Sequence, residues 1–466
     1  MPTSLPSYDE LFAENTVLKA LIVKLEARIT DLEARLKMTS QNSSKPPSAD
    51  GLAKPAPKSL RGKSGRKPGR PAGQPGVTLE QVAVPDAEVS YAPAACGRCG
   101  DDLAGAVVVG VERRQVFDLP EPKLEVTEHQ IFTLQCRCGH QTRGRQPEGV
   151  NAPVCYGPRI AGIGVYLLHG QFLSKTRTAQ ALDVLFGVPV APQTVATWVR
   201  RTALGIIDKV LPVIGGRITA SDVAHFDETG FRTAGKLAWM HSASTPTDVL
   251  LTVHPRRGTE AMNDAGILPG FQGVAVHDAW APYDCYTEAT HALCNAHALR
   301  ELVYVTDTAA GPTADMAVQA IDAMLALKKL VDDAQATQTS IDSAARDHHA
   351  HLLRSAVLLG IEATAARSSE LQRKHNALFV RLRDRRDDYL RFLYDPQVPW
   401  DNNAAERTIR MPKLRIKVSG SMRTLAGARD FAAIRSYTAT AARHSRNILD
   451  TLTQAATGQP WIPDTA

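Results

Sequence analysis

Two short apolar segments of the chain each deliver an aspartate, and a third acid lies in a helix predicted downstream. The segments read VAHFDETGF, with Asp227, and GVAVHDAWAPY, with Asp278. Short apolar runs followed by turn residues predict buried strands that end at these aspartates. Between them, the sequence predicts the hairpin strands LAWMHSAS and DVLLTVHP and a helix around residues 259–267. The order strand-strand-strand-helix-strand suits a mixed sheet whose acids converge at one end.

The third acid is Glu406, in the stretch VPWDNNAAERTIRM. Asp and Asn are good N-caps, so a helix is expected to begin at Asp401 or Asn402, with Glu406 about one turn in. Arg407 and Arg410 flank this glutamate. The set is consistent with a salt-bridged helix face or with a metal ligand beside a polyanion site.

Carboxylates at strand ends suit divalent cations, because Mg²⁺ prefers hard oxygen ligands together with water and phosphate oxygens. Two such ions about 3.5–4 Å apart stabilise both the attacking and the leaving oxygen in phosphoryl transfer. The three acids are therefore candidate ligands of a catalytic metal site.

The wording FDETG, HDAWAPY, CNAH and VPWDNNAAER resembles the insertion-sequence 66 family of bacterial transposases, with DNNAAER after VPW the most specific part. The resemblance implies a ribonuclease-H-like fold in which Asp227, Asp278 and Glu406 form an Asp-Asp-Glu triad that holds Mg²⁺ or Mn²⁺. It implies hydrolysis of a phosphodiester at the element ends and attack of the freed 3′-hydroxyl on target DNA. It also implies a zinc-finger-like module, terminal inverted repeats as DNA partners, and possible accessory proteins of the same element.

A chain of 466 residues exceeds one ordinary core, so a multidomain α/β protein is expected. No apolar run approaches the roughly 20 residues of a membrane span, and the N-terminus lacks a signal-peptide pattern. Seven cysteines in such a chain indicate thiols and metal ligands, and the expected location is the bacterial cytoplasm, at the nucleoid. The predicted domains are a coiled-coil dimerisation helix (1–40), a basic linker (41–80), a zinc-binding module (81–150), a helical DNA-binding region (151–219), and a catalytic core (220–305 and 396–466, with C-terminal helices) that contains an all-helical insertion (306–395).

The N-terminal helix has leucines at every seventh position, Leu11, Leu18, Leu25 and Leu32. The companion positions are mostly isoleucine with one asparagine, which favours a parallel two-stranded coiled coil and hence a homodimer or higher assembly. The alternative is an amphipathic helix packed on its own domain.

The linker is rich in Ser, Pro, Gly, Lys and Arg and cannot bury a core. Its cations Arg66, Lys67 and Arg70 are expected to contact phosphates in a salt-dependent way. The Gly-Arg-Pro core also resembles an AT-hook arm that binds the minor groove. The alternative is an ordinary solvated basic linker.

Four cysteines follow in two close pairs, Cys96 with Cys99 and Cys136 with Cys138, separated by strand-like stretches. Four thiolates in this arrangement fit a structural Zn²⁺ in a zinc-ribbon-like module. His140 is an alternative ligand, and four unmetallated cysteines are the simpler interpretation.

Residues 157–173, 176–186 and a segment from Pro192 predict three helices with a short Gly-containing turn before the last. This is the order of a helix-turn-helix, with Arg200 and Arg201 on its exposed face; an ordinary three-helix bundle fits equally well.

Two further sets complete the candidates. Cys294 and His297 in CNAH are interpreted as supporting the active site. The alternative is that they belong to a helix with a structural role only. Arg407, Arg410, Arg415 and Lys417 are candidate DNA contacts after the third acid.

The sequence therefore predicts a metal-dependent DNA transposase. Two alternatives remain: a metal-dependent nuclease without strand transfer, and a transposase-derived DNA-binding regulator.

Overall fold

The computed structural model describes residues 7–39, 42–43 and 79–464. The chain forms two compact units, one of residues 58–126 and one of residues 1–57 with 127–466. Helices and a sheet are both present, which confirms the predicted mixture. No helix among the described residues is long and apolar enough to cross a membrane.

Helix α1 (Tyr8–Leu36) begins with a capping box in which Ser7 and Glu10 satisfy each other's backbone amides. Its last turns pack on the chain's own helices. The Tyr304 hydroxyl donates to the Ala34 carbonyl at 3.0 Å, and Asp31 accepts from the Leu371 amide at 3.0 Å. The heptad leucines upstream are half exposed, so the coiled coil stays a prediction.

The region around the cysteines has little regular structure. Of the two strand-like stretches, 107–117 forms no strand and 123–136 forms one only at Thr133–Gln135, and Val109 is 99% exposed. Alternating apolar residues stabilise a strand only where one face is covered, and nothing described covers this one. A short antiparallel hairpin follows, formed by β1 (Thr133–Gln135) and β2 (Gln141–Arg143).

The next region is helical, as the sequence predicts, but its first helix is interrupted. The π-helical turn Tyr166–Gly170 ends the regular α-helix after Val165, so the expected helix over 157–173 is wrong in its second half. The helices are α2 (Pro158–Val165), α3 (Lys175–Phe186), α4 (Pro192–Lys209) and α5 (Leu211–Thr219).

A five-stranded sheet follows, in the order β5-β4-β3-β6-β7. The three longer strands form an antiparallel meander, and β6 and β7 run parallel to β3. The elements are β3 (Val223–Thr233), β4 (Lys236–Ser244), β5 (Val249–His254), α6 (Thr259–Asp264), β6 (Val274–His277) and β7 (Thr290–Leu293).

Helices make up the rest of the chain. They are α7 (Asn295–Thr308), α8 (Pro312–Thr337), α9 (Ser343–Ala363), α10 (Glu370–Asp384), α11 (Arg386–Leu390), α12 (Asn403–Ser419), α13 (Leu425–Arg443) and α14 (Ile448–Ala456). The predicted insertion is helical and shares one core with α7 and the β6–β7 side of the sheet, around Val276, Leu302 and Phe379. Helices α12 and α13 return to the sheet, and α14 packs on α2 and α4.

Hydroxyl groups of α13 cover the free edge of β5. Thr440 Oγ1 accepts from the Val249 amide at 3.0 Å, and Ser436 Oγ accepts from the Leu251 amide at 2.8 Å. An edge strand otherwise presents unpaired amides that template aggregation. These two bonds close the edge and fix α13 against the sheet.

We expect Thr440→Val to lower the free energy of unfolding by about 1–3 kcal/mol, because the buried Val249 amide loses its acceptor. The matched control is Thr438→Val on the same helix, whose hydroxyl donates only to helix carbonyls. Denaturant midpoints measure both variants, and an equal loss in the two would contradict the edge-capping role.

Candidate active site

Asp227 lies on β3 where the pairing of the sheet changes. β6 pairs with β3 over residues 223–225, and β4 continues beside β3 as far as Thr233. The expectation that Asp227 ends its strand is wrong, because the β3–β4 hairpin closes only at Ala234 and Gly235. Asp227 follows the part of β3 that pairs with β6 and therefore lies where β6 ends.

Asp278 directly follows β6. Because β6 is parallel to β3, the end of β6 brings Asp278 to the same place as Asp227. Each carboxylate accepts one backbone amide: Asp227 Oδ1 from Glu228 at 2.8 Å, and Asp278 Oδ1 from Trp280 at 3.1 Å. The other oxygen of each aspartate accepts no hydrogen bond from a described residue.

Glu406 comes to this site from α12, which is positioned by Asn402. Asn402 is the N-cap residue, as expected, but its side chain does not cap the helix. The amide nitrogen Nδ2 donates to the Phe226 carbonyl at 2.7 Å, and Oδ1 bonds His225 Nδ1 at 2.8 Å. The buried side chain thus fastens the start of α12 to the residues directly before Asp227. Sequence reasoning missed this role because it assigned the side chain to local capping.

The carboxylates are crowded. Burial raises the pKa of Asp227 well above its ordinary value, and the charges of Glu228, Asp278 and Glu406 raise it further. Burial and then the charge of Asp278 also raise the pKa of Glu228. A divalent cation between the acids would relieve this repulsion, so their chemistry fits Mg²⁺ or Mn²⁺.

Cations hold the third acid. Arg300 Nη2 lies 3.0 Å from Glu406 Oε1, Arg410 Nη2 lies 3.4 Å from Oε2, and His297 Nε2 lies 3.8 Å from Oε1. Across the part of the chain that the structure describes, no three His, Cys, Asp or Glu side chains are grouped as metal ligands. Glu406 is thus paired with arginine in this structure.

Lys413 is a further cation at the site. Burial lowers its pKa, whereas the carboxylates of Asp227 and Glu406 raise it. It lies on α12 seven residues after Glu406, which is two helical turns and therefore the same face. The seven-residue spacing is visible in the sequence. Lys413 was nevertheless not singled out from the sequence, because it lies within a run of several cationic residues.

Glu228, beside Asp227, is bound into a second network. Arg257 binds its Oε1 at 2.6 Å, and the Tyr283 hydroxyl donates to its Oε2 at 2.8 Å. The Arg257 guanidinium lies 3.8 Å from the ring of Trp280 and 4.9 Å from that of Trp239. Because Trp280 also donates its backbone amide to Asp278, the network holds the turn that carries the second acid.

Cys294 and His297 lie at the start of α7. Cys294 Sγ accepts from the Asn402 amide at 3.2 Å, and burial raises the pKa of this thiol to about 12. His297 contacts Glu406, and burial followed by the charge of Arg300 lowers its pKa. The cysteine therefore packs as a neutral thiol, while the histidine faces the acid.

The two cysteine pairs each occupy a tight turn. The Cys96 carbonyl accepts from the Gly100 amide at 2.9 Å, and the Cys136 carbonyl accepts from the Gly139 amide at 2.8 Å. Hydrogen bonds from the backbone amide of Cys99 and then that of Arg98 lower the pKa of Cys96 to about 7, and equivalent bonds within the second turn lower that of Cys136. Both turns therefore favour thiolate, the form that binds zinc.

The predicted DNA contacts have different surroundings. Arg200 is bound to Asp430 of α13, whereas Arg201 is exposed. Arg415 donates to the Gly420 carbonyl at 3.0 Å, and Lys417 is exposed near the end of α12. Arg66, Lys67 and Arg70 lie outside the described residues.

Comparison with known families decides the classification. A model described as the IS66 family of transposases matches residues 153–430, more than half of the chain. The chain belongs to the IS66 transposase family. The match includes Asp227, Asp278 and Glu406, so the acids that the structure brings together lie in the transposase region of this IS66 protein.

Two further models match the N-terminal part of this IS66 transposase. The zinc-finger binding domain of IS66 transposases matches residues 93–139, which include both cysteine pairs. A family of unknown function, DUF6444, matches residues 3–80. A search among curated proteins gave no match.

We expect Asn402→Ala to lower the free energy of unfolding by about 2–4 kcal/mol, because it leaves the Phe226 carbonyl and the His225 ring without partners. Asn403→Ala is the matched control, since Asn403 is exposed and its side chain bonds only Asp401. Denaturant titration compares the two variants. If Asn402→Ala loses no more unfolding free energy than the control, the hydrogen bonds of Asn402 are not required to hold α12 against β3.

We expect Asp227→Asn to be more stable than the wild type at neutral pH in a chelator. A carboxyl group whose pKa is raised on folding stabilises fully below its unfolded pKa of about 3.8, and this contribution is lost as pH rises through the folded value. The gain from Asn should therefore disappear on acidification below about pH 3.8. Melting temperatures of the variant and the wild type, measured from neutral pH to below about pH 3.8, test this difference in stability.

The control for this pH dependence is Asp322→Asn, an exposed residue of α8 for which no such gain is expected. A variant at Asp227 that is less stable than the wild type at neutral pH contradicts the predicted crowding.

Proposed function

We propose that this chain is a DNA transposase whose active site holds two Mg²⁺ or Mn²⁺ ions on Asp227, Asp278 and Glu406. The observation that supports the proposal is the placement of the three acids: Asp227 on β3 level with the end of β6, Asp278 directly after β6, and Glu406 on a helix fastened to β3. The charges of Asp278 and Glu406 both act on Asp227. The raised pKa of Asp227 supports the choice of a divalent cation.

The proposed catalytic core is ribonuclease-H-like. Its support is the strand order, in which an antiparallel meander of three strands is followed by two strands parallel to the first. The acids lie on the first strand, after the fourth, and on a helix packed against the first. The helical insertion separates the second acid from the third along the chain.

In the proposed reaction a phosphodiester at the element end is hydrolysed, and the freed 3′-hydroxyl is then joined to target DNA. Bound divalent ions would supply activation of the attacking oxygen and stabilisation of the leaving oxygen. Asp227 and Asp278 would offer the carboxylate oxygens that now accept no hydrogen bond. Glu406 would exchange its pairing with Arg300 for a ligand position, which leaves Arg300 and Arg410 available to a DNA phosphate.

The remaining parts would bring DNA and copies of the chain together. We assign the terminal inverted repeats and target DNA as partners, with Arg200, Arg201, Arg407, Arg410, Arg415 and Lys417 as phosphate contacts, joined by Arg66, Lys67 and Arg70 of the linker. The α1 leucines would pair two copies, and accessory proteins of the same element would complete the assembly. A bacterial protein that acts on DNA in this way would work in the cytoplasm, at the nucleoid.

We also assign a structural Zn²⁺ to Cys96, Cys99, Cys136 and Cys138. The support is the match to the IS66 zinc-finger domain and the lowered pKa of the first cysteine in each turn. Four protein ligands leave no open position, so this ion would stabilise structure and take no part in the reaction.

We expect Glu406→Gln to reduce cleavage and joining of a terminal-repeat DNA in Mg²⁺ by at least about 100-fold, since loss of even an outer partner of a metal site costs about 10–100-fold. DNA binding should be retained, because the change removes one negative charge. A gel assay with labelled DNA reports binding, cleavage and joining together.

The matched control is Glu362→Gln, an exposed residue of α9. Wild-type protein that cleaves without joining would identify a nuclease. Wild-type protein that binds the repeat and does neither, with all expected accessory proteins present, would identify a regulator.

A further inference from the structure

A cleft lined by arginine lies between α12, α13 and β5, on a different side of α12 from the three acids. Its volume is about 300 Å³, room for roughly ten water molecules. Three of the side chains that line it are cationic: Arg407 from α12, and Arg435 and Arg443 from α13. The other lining residues are small, apolar or hydroxylated, and none is acidic.

Arg435 is half-buried and has no carboxylate partner among the described residues. Its Nε is buried and makes no hydrogen bond, and its nearest ring, that of Phe172, lies 5.8 Å from the guanidinium carbon. Within the described ranges of the chain, no carboxylate is within ion-pair distance of Arg435 or Arg407. Burying part of a guanidinium without a carboxylate is costly, and a bound anion in the cleft would offset that cost.

Arg443 adds a fixed cation at the other end of the cleft. It donates to the Thr245 and Asp248 carbonyl oxygens, which hold it in place. Asp248 is the nearest acid, but its carboxylate is bound to Arg217 at 3.1 Å, outside the cleft lining. Burial lowers the pKa of Arg443, the charge of Asp248 partly offsets this, and the charge of Arg407 lowers it further, so two like charges lie close together here.

We propose that this cleft binds a phosphodiester group of the DNA on which the transposase acts. The proposal rests on the proposed function, and it adds Arg435 and Arg443 to the DNA-contacting residues. Guanidinium groups match phosphate oxygens in geometry and charge, and the cleft has room for a phosphate with its water. Phosphate contacts fix the register of a protein on DNA.

The position of the cleft defines its task. Arg407 follows Glu406 directly on α12, and adjacent helical residues project about 100° apart. A phosphate bound by Arg407 would therefore lie beside the active site and not at it. The cleft would hold a neighbouring phosphate of the strand and so set which phosphodiester reaches the acids.

The first experiment uses inorganic phosphate as the probe and the full-length protein without DNA. At constant ionic strength, millimolar phosphate should raise the melting temperature of the wild type by about 2–4 °C relative to chloride. Arg435→Gln should lose this shift, and so should Arg407→Gln, which changes an exposed residue and keeps the fold. Arg429→Gln, an exposed arginine of α13 outside the cleft, should retain it.

The second experiment measures affinity for a DNA duplex of arbitrary sequence as salt is varied. One lost phosphate contact reduces the slope of log affinity against log salt by about 0.9. Arg407→Gln and Arg435→Gln should each give this reduction, and the double variant should lose no more than one contact, because both residues bind one phosphate. Arg429→Gln should leave the slope unchanged.

The outcomes separate this proposal from the proposed function, since neither measurement needs cleavage. A phosphate shift lost in both variants, with unchanged salt slopes, would identify a site for free anions and overturn the DNA assignment. A full phosphate shift in Arg407→Gln and Arg435→Gln would overturn the site itself. Loss of catalysis in the Glu406 variant bears on the proposed function alone.

Discussion

One buried amide side chain connects the parts of this protein that must act together. Asn402 joins the start of α12 to β3 through the Phe226 carbonyl and His225, and its backbone amide donates to Cys294 at the end of β7. These groups come from segments far apart in the chain, with the helical insertion between two of them. The bonds to the Phe226 carbonyl and to Cys294 are buried and the one to His225 is half-buried, so loss of a buried one would leave an orphaned polar group. The position of Glu406 relative to Asp227 depends on this junction.

Helix α12 also separates opposite charges. One side carries Glu406 towards Asp227 and Asp278, where burial and then repulsion between carboxylates raise the pKa of Asp227. Another side carries Arg407 towards two more arginines that lack carboxylate partners. Each group alone destabilises the fold, and each would be relieved by the ligand of opposite charge that a DNA-processing metal enzyme binds. Like charges that repel one another in the free protein are expected at functional sites, where a ligand relieves the repulsion.

The sequence was sufficient for elements with a strong local pattern. Three acids were identified because strand and helix patterns with a specific wording surround them, and the helical insertion had clear periodicity. Predictions from local patterns were wrong where tertiary contacts determine the structure. The apolar stretch at 107–117 alternates like a strand but has no covered face, and β3 extends beyond Asp227 because β4 holds it. Asn402 has the composition of a cap, and only the folded chain shows what its side chain binds instead.

The same reasoning explains why the charged residues were the least predictable. Arg200, Arg407 and Arg435 are alike in sequence, yet one is paired with Asp430, one is exposed, and one is half-buried without an acid. A guanidinium satisfied by a carboxylate has little left to offer a phosphate, whereas an unpaired buried one retains its full attraction. The capacity to bind DNA is therefore decided by the partners that each arginine finds on folding. Among the described residues, those partners leave Arg435 without a carboxylate in the cleft beside the helix that carries the third acid.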